Sequence, residues 1–212
     1  MKRNSDFSVY AILDIDYIIL LKKNWVKCLK ETLKGGATAV QLRSKTMSDA
    51  AFYSAALKTK NICAPYKAVF IVNDRVDAAA AAGADGIHIG MDDMPFAAAK
   101  KIIKKTMLIG ISASTVKEAL ACDKLKADYM GIGPVFATGQ KNTAPMGAAA
   151  IKKLMPLIST PVVAIGGINS YNINDLKKIG IKNFSFISAI FSAGDVCGRT
   201  RAIKSIIDSK EI

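Results

Sequence analysis

Eight short apolar runs recur along this 212-residue chain, separated by segments with helical spacing, and that alternation limits the fold more than anything else in the sequence. The runs are Ser8 to Leu13, Thr38 to Leu42, Ala68 to Val72, Gly86 to Ile89, Met107 to Ile111, Tyr129 to Ile132, Val162 to Ile165 and Phe184 to Ile187. The helical patterns are Trp25 to Leu33, Ser48 to Ile62, Val76 to Ala82, Pro95 to Lys104, Val116 to Leu125, Ala148 to Leu157, Ile173 to Ile179 and Arg199 to Ser209. An unbroken apolar run suits a strand buried on both faces, as parallel strands beneath helices are. Eight such units predict an α/β protein with a single (β/α)8 TIM-barrel domain over residues 1–212. Glycines announce several strands, in Gly35-Gly36-Ala37, Ala82-Gly83-Ala84-Asp85 and Lys177-Lys178-Ile179-Gly180, where a left-handed residue can stop the preceding helix. That recurrence, with no low-complexity linker, favours repeated βα units over two domains.

Composition narrows the setting. With 51% hydrophobic and 22% charged residues, the chain is globular. Tyr17 to Leu21 runs at once into Lys22 and Lys23, far short of the roughly 20 residues a membrane span needs. Asp6, Asp14 and Asp16 interrupt the region where a signal peptide needs its apolar core, so a cytoplasmic protein without membrane partners is expected. Cys28, Cys63, Cys122 and Cys197 form no CxxC pair, and a single histidine leaves no zinc spacing; the thiols read as reduced packing groups. That histidine, His88, is flanked by Ile87 and Ile89 and reads as a packed core group, not a catalytic one. A net charge of +13 would suit an anionic partner. Lysines such as Lys100, Lys101, Lys104 and Lys105 fall on amphipathic helices without interleaved aromatics, however, so they read as solvated faces and no nucleic-acid partner is expected.

Polar insertions close the apolar runs: Gln41-Leu42-Arg43-Ser44-Lys45, Asn73-Asp74-Arg75, Gly90-Met91-Asp92-Asp93, Thr138-Gly139-Gln140-Lys141, Gly166-Gly167 and Ser188-Ala189. A barrel gathers the carboxyl ends of its strands on one rim, so these insertions describe one site. Cations, carboxylates and glycines together suggest a magnesium-bound phosphate. Asp74 and Asp93 offer oxygen to a hard cation such as Mg2+; the alternative is that Asp74 and Asp92 or Asp93 cap the following helices. Gln41, Arg43 and Lys45 share one side of a strand end, where a diphosphate would balance the two charges; the alternative is internal pairing with Asp14 or Asp74. The glycine-punctuated segment from Gly131 to Lys141 suits a phosphate-gripping lid. Gly166-Gly167 and Ser188-Ala189 stand where barrels commonly hold a monophosphate, although a glycine pair alone also makes a tight turn. Two phosphate sites imply two small phosphorylated substrates. Ser112 is a candidate donor to a substrate ring, and with no histidine expected to accompany it a hydrolase triad is excluded.

These segments, in this order, resemble the thiamine-phosphate synthase family, also called thiamine-phosphate pyrophosphorylase. The likeness runs from about Ser8 to Ile190 and is carried by Gln41 to Lys45, Val72 to Arg75, Asp85 to Gly90, Gly110 to Ser112, Gly131 to Phe136, Ala164 to Ile168 and Ile187 to Ile190. The resemblance implies a transferase that joins hydroxymethylpyrimidine diphosphate to a thiazole phosphate, giving thiamine phosphate and pyrophosphate. It implies that Gln41, Leu42, Arg43, Ser44, Lys45, Asn73, Ser112 and Lys141 bind the pyrimidine diphosphate, and that Asp74 and Asp93 hold magnesium. Thr138, Gly139, Gln140, Gly167, Ile187 and Ser188 would hold the thiazole phosphate, with Arg43, Lys45 and Lys141 carrying the catalytic charge. A homodimer is a family-level expectation. The chain departs from the family's usual residues at Ser44, Met91, Ser114, Ala137 and Gln140. A thiazole tautomerase would need a proton-transfer group and neither the diphosphate cations nor the carboxylates; a non-catalytic ligand-binding protein of the same pathway would not need an intact metal site.

Overall fold

The computed structural model describes residues 5–139 and 144–209. Eight parallel strands pair in chain order and the last closes on the first. They are β1 (Val9–Asp14), β2 (Ala39–Arg43), β3 (Val69–Asn73), β4 (Gly86–Ile89), β5 (Leu108–Ala113), β6 (Tyr129–Ile132), β7 (Val162–Ala164) and β8 (Phe184–Phe186). Around them lie α1 (Ile15–Leu20), α2 (Trp25–Lys34), α3 (Asp49–Cys63), α4 (Val76–Ala82), α5 (Phe96–Ile102), α6 (Val116–Asp123), α7 (Ala148–Leu154), α8 (Ile173–Lys177), α9 (Ser188–Phe191) and α10 (Val196–Asp208). This is the (β/α)8 barrel expected from the sequence, with every strand in place. Two short helices, α1 and α9, are not announced by the sequence pattern. Each starts within a residue or two of a strand's end, so no turn signal separates them from the strand pattern.

Local chemistry starts and stops the helices. The side chains of Asn24, Ser48, Thr115 and Asp195 each accept a backbone N–H from the first turn of α2, α3, α6 and α10, satisfying donors a helix start leaves open. Gly36, Gly83 and Gly180, the glycines that precede β2, β4 and β8, all have positive φ, at 100°, 64° and 91°. A Cβ would strain each of these turns, and the chain is free to reverse into the next strand.

Polar residues at the starts of the even-numbered strands tie down the odd-numbered neighbours. Thr38 Oγ1 accepts from the Val9 N–H, Asp85 from Phe70 and Asp128 from Ile109, while the Asn183 amide donates to the Val162 carbonyl. Each satisfies a backbone group near the amino end of the preceding strand, which would otherwise lack that partner.

Alternation along the strands divides two apolar regions. Val9, Ala11, Leu13, Val40, Leu42, Phe70 and Val72 face outward into the shell packed under the helices. Phe7, Tyr10, Ala39, Val69, Ile71, Leu108, Tyr129 and Val163 face inward as a second cluster. Small residues make room inside: a Cβ on Gly110 would stand 2.1 Å from the Tyr129 ring. All four cysteines are free, and burial, helped by the nearby Asp85 charge, pushes the Cys63 thiol up to about 12, as suits a packing group. Among the described residues no helix is long and apolar enough to cross a membrane.

Asp85→Ala should destabilise the barrel by about 1–3 kcal/mol, because the Phe70 N–H loses its acceptor at a site where water has little access. Urea denaturation at constant slope measures this; an unchanged midpoint would show that water replaces the carboxylate.

Candidate active site

The cavity at the carboxyl end of the barrel has an aromatic floor. The Phe7 ring lies 4.5 Å from Tyr129 and 5.3 Å from Tyr10, closing the interior from below. Above this floor, inward-facing positions turn polar: Gln41 and Arg43 on β2, Asn73 on β3, His88 on β4 and Ser112 on β5 line the cavity. The opposite wall is formed by Gly131, Gly133, Thr138, Gly166, Gly167, Ile187 and Ser188. Ser185 also reaches the cavity, and its buried hydroxyl has no hydrogen-bond partner among the described residues.

Four carboxylates organise the rim. Asp14, buried at the end of β1, accepts from the Tyr17 N–H at the start of α1 and pairs with Arg43, so the guanidinium is held by one nitrogen while its other donors have no hydrogen-bond partner among the described residues. Lys45 pairs with Asp74. Asp74 and Asp93 are themselves in hydrogen-bond contact. Burial, together with its contact to Asp93, raises the Asp74 carboxyl above the ordinary carboxylate range. Burial pushes Asp93 the same way, but the hydrogen bonds from Asp74 and from the Gly90 N–H outweigh it and hold Asp93 below that range. Neither residue caps a helix: α4 is preceded by Arg75 and α5 by Pro95, both without a side-chain cap. Asp74 adopts a left-handed φ of 60° that turns it away from the path of α4.

Two touching carboxylates with a single lysine beside them need a shared proton or a further cation, so this donor set fits a hard divalent ion. Among the described residues no three His, Cys, Asp or Glu side chains gather into a metal cage. An ion that keeps several waters and takes phosphate oxygens needs only a pair.

The fourth carboxylate, Asp16, shapes the loop after β2. It accepts from Ser44 Oγ at 2.7 Å, the Lys45 N–H at 2.6 Å and Thr46 Oγ1 at 2.6 Å. The slight burial of Asp16 works against ionisation, but these hydrogen bonds prevail and hold its carboxyl below the ordinary range.

The sequence-derived residues therefore separate into groups. Gln41, Arg43, Asn73, Ser112, Thr138, Gly167, Ile187 and Ser188 line one cavity. Lys45, Asp74 and Asp93 stand together just past the carboxyl ends of β2, β3 and β4. Leu42 points to the helix-facing core, and Ser44 is buried against Asp16. Gly139 is exposed, and Gln140 and Lys141 lie outside the described residues. Gly167 has φ 67°, and a Cβ there would come within 2.7 Å of the Ala137 carbonyl and of Phe136, so the segment after β6 packs directly on this turn. Sequence reasoning missed Tyr10, Tyr129 and Ser185, hidden in apolar strands, and Asp16, hidden in the unannounced α1. His88 is buried as expected, yet it lines the cavity and stands 2.8 Å from Ser112, which overturns the expectation that no histidine accompanies that serine.

A family model for thiamine monophosphate synthase matches residues 9–190, most of the chain. The chain belongs to the thiamine-phosphate synthase family. A thiamine-phosphate synthase of Clostridium novyi is 39% identical over 203 residues, covering 95% of this chain and 98% of that one. One from Desulfitobacterium hafniense is 40% identical over 205 residues, covering 96% and 97%. The solved thiamine phosphate pyrophosphorylase of Pyrococcus furiosus superposes with a TM-score of 0.87 at 36% identity, covering 95% of this chain and 96% of that one. As a thiamine-phosphate synthase family member the chain is an enzyme of the transferase class.

Through Asp16, the loop carrying Lys45 should be acid-sensitive. Its carboxyl is held below its unfolded value, so its contribution is complete above the ordinary carboxylate range and is lost as pH falls through the lowered value. Amide exchange at Lys45 should be protected near neutrality and lose protection in acid, while Asp16→Asn should be weakly protected at both. Equal protection in the variant at neutral pH would show that the loop does not depend on this carboxylate.

Proposed function

We propose that the chain condenses hydroxymethylpyrimidine diphosphate with a thiazole phosphate to form thiamine phosphate and pyrophosphate. The observation that carries this reading is a single cavity flanked by a cation–carboxylate cluster on one side and a glycine-rich wall on the other, with a polar layer above its aromatic floor. The cluster suits a diphosphate and the wall a monophosphate, so the two reacting centres meet between them.

Asp74 and Asp93 would hold a magnesium ion, which neutralises charge on the diphosphate when bound. Arg43, fixed by Asp14, offers donors to the diphosphate oxygens, and Lys45 leaves Asp74 to do the same. Lys141, on the segment after β6, would add a third cation. In a dissociative substitution the carbon–oxygen bond to diphosphate breaks first, with its electron pair leaving on oxygen, and the pyrimidinylmethyl cation is then captured by the lone pair of the thiazole nitrogen. Negative charge grows on the departing oxygens, so these donors act more strongly on the transition state than on the bound substrate. Capture requires only that the thiazole be held in line, and Gly167, Ile187 and Ser188, which line the cavity, would hold its phosphate. No side chain is asked to remove a proton.

Purified protein incubated with both substrates and magnesium should produce thiamine phosphate. No product at any substrate concentration would reject the assignment. Excess chelator should abolish turnover and added magnesium restore it; full activity in chelator would remove the proposed role of Asp74 and Asp93.

Arg43→Ala should lower single-turnover rates on the order of a hundred-fold or more, because a fixed donor to the leaving group is lost. A rate equal to that of the unsubstituted enzyme would mean that Arg43 serves only to balance Asp14.

A further inference from the structure

Five side chains from five strands form an unbroken hydrogen-bonded chain across the barrel interior. Gln41 Nε2 lies 2.7 Å from the Tyr10 hydroxyl, which lies 2.9 Å from the Tyr129 hydroxyl. Tyr129 is 3.1 Å from His88 Nδ1, and His88 Nε2 is 2.8 Å from Ser112 Oγ. Gln41, Tyr10, Tyr129 and His88 are all buried, and Ser112 lines the cavity.

Counting hydrogens gives this chain a direction. A phenol has one hydrogen to donate, and a neutral imidazole has one donor nitrogen and one acceptor nitrogen. Tyr10 receives its hydrogen bond from the Gln41 amide nitrogen, so the Tyr10 hydrogen goes to Tyr129, its other partner among the described residues. Tyr129 has then accepted on that side, and its own hydrogen goes to His88 Nδ1. A ring nitrogen that accepts carries no hydrogen, which places the imidazole hydrogen on Nε2 and directs it at Ser112 Oγ. Ser112 is thereby an acceptor toward His88, and its own hydrogen is left for the cavity. In the reverse arrangement Gln41 would present its carbonyl to Tyr10, every link would turn round, and Ser112 would donate to His88 and offer the cavity lone pairs only. The amide nitrogen facing Tyr10 selects the first arrangement.

We infer that His88 is a positioning residue that keeps the Ser112 hydroxyl as a fixed hydrogen-bond donor toward the substrate. This rests on the reading that the cavity binds a pyrimidine diphosphate, and it specifies what the site asks of the ring: an unprotonated ring nitrogen facing Ser112. A ring N–H or an amino group at that place would meet a donor with a donor, leaving both unsatisfied. Tyr10 and Tyr129 are kept neutral by burial, which raises both phenols, so the chain transmits direction without adding charge.

The single histidine makes the first test direct. Protein labelled with 15N-histidine in mildly alkaline buffer without ligand should show the neutral tautomer with hydrogen on Nε2. The Nδ1–H tautomer or a doubly protonated ring would overturn the inference, whatever reaction the protein carries out. The second test is a cycle on the Michaelis constant for the pyrimidine diphosphate. Ser112→Ala should raise it about 2- to 10-fold, the effect of one uncharged hydrogen bond, and leave the constant for the thiazole phosphate unchanged. Tyr129→Phe should raise it in the unsubstituted enzyme and have no further effect once Ser112 is alanine, because Tyr129 acts only through that hydroxyl. An equal effect of Tyr129→Phe in both backgrounds would reduce the tyrosine to a packing role and overturn the relay. Absence of any thiamine phosphate would instead strike the functional reading and leave the tautomer result standing.

Discussion

Burial of both faces of every strand governs this molecule. A parallel barrel strand has no solvent side, so residues of one parity meet helices and residues of the other meet seven other strands. The helix side can be filled with aliphatic groups, and it is, by Val9, Ala11 and Leu13 on β1 and by Val40 and Leu42 on β2. The interior has little room, and large groups enter only where glycine leaves space. Gly110 admits the Tyr129 ring, and Gly131 lets His88 approach to within 3.1 Å of where its Cβ would be. The aromatic floor and the polar layer above it therefore depend on those absent side chains as much as on the rings themselves.

Charge enters only where the strands end. Asp14, Arg43, Lys45, Asp74 and Asp93 all sit at the carboxyl rim, and below them the interior carries amide, phenol, imidazole and hydroxyl groups. Placing a charge deeper would require a partner and good geometry to offset its desolvation. The arrangement at the rim remains unbalanced: Arg43 is matched by Asp14, whereas Lys45 stands beside two carboxylates in contact. Both readings open to Arg43 and Lys45 from sequence, internal pairing and anion binding, are compatible with these positions, since among the described residues each cation is ion-paired to one carboxylate.

The barrel was legible because each unit repeats one physical requirement, an apolar run followed by a helical period. Strand boundaries shifted only by a residue or two, since Asn73 and Arg43 continue the backbone ladder even though their side chains are polar. α1 was illegible because Asp14 is at once the last residue of β1 and the cap of the helix, so no turn residues mark the join. Most of the cavity was legible from residues that are costly to bury without purpose, such as Gln41, Arg43 and Asn73. Tyr10 and Tyr129 were not, because a tyrosine in an apolar strand reads as packing until its hydroxyl is placed. Asp16 was not legible either, because it lies in the unannounced α1 and its role shows only when Ser44, Lys45 and Thr46 converge on it.

The division between a charged rim and a neutral interior separates two tasks that a single set of residues would perform poorly. Stabilising a departing diphosphate calls for full charges close to water, where their own desolvation is small and a metal ion can join them. Recognising a ring calls for uncharged groups with a definite donor or acceptor sense, since a full charge would attract either the metal or the phosphate and lose the distinction. Burial gives the interior that character by keeping Tyr10 and Tyr129 protonated, and a chain of neutral groups with one hydrogen per link has only two directions to choose between. Gln41 is where the two layers meet: it stands two residues before Arg43 on β2, and its amide begins the interior chain. Under the proposed reading, a change of side chain at Gln41 would bear on ring recognition through Tyr10 before it bears on phosphate, although Gln41 lies in the segment expected from sequence to bind phosphate.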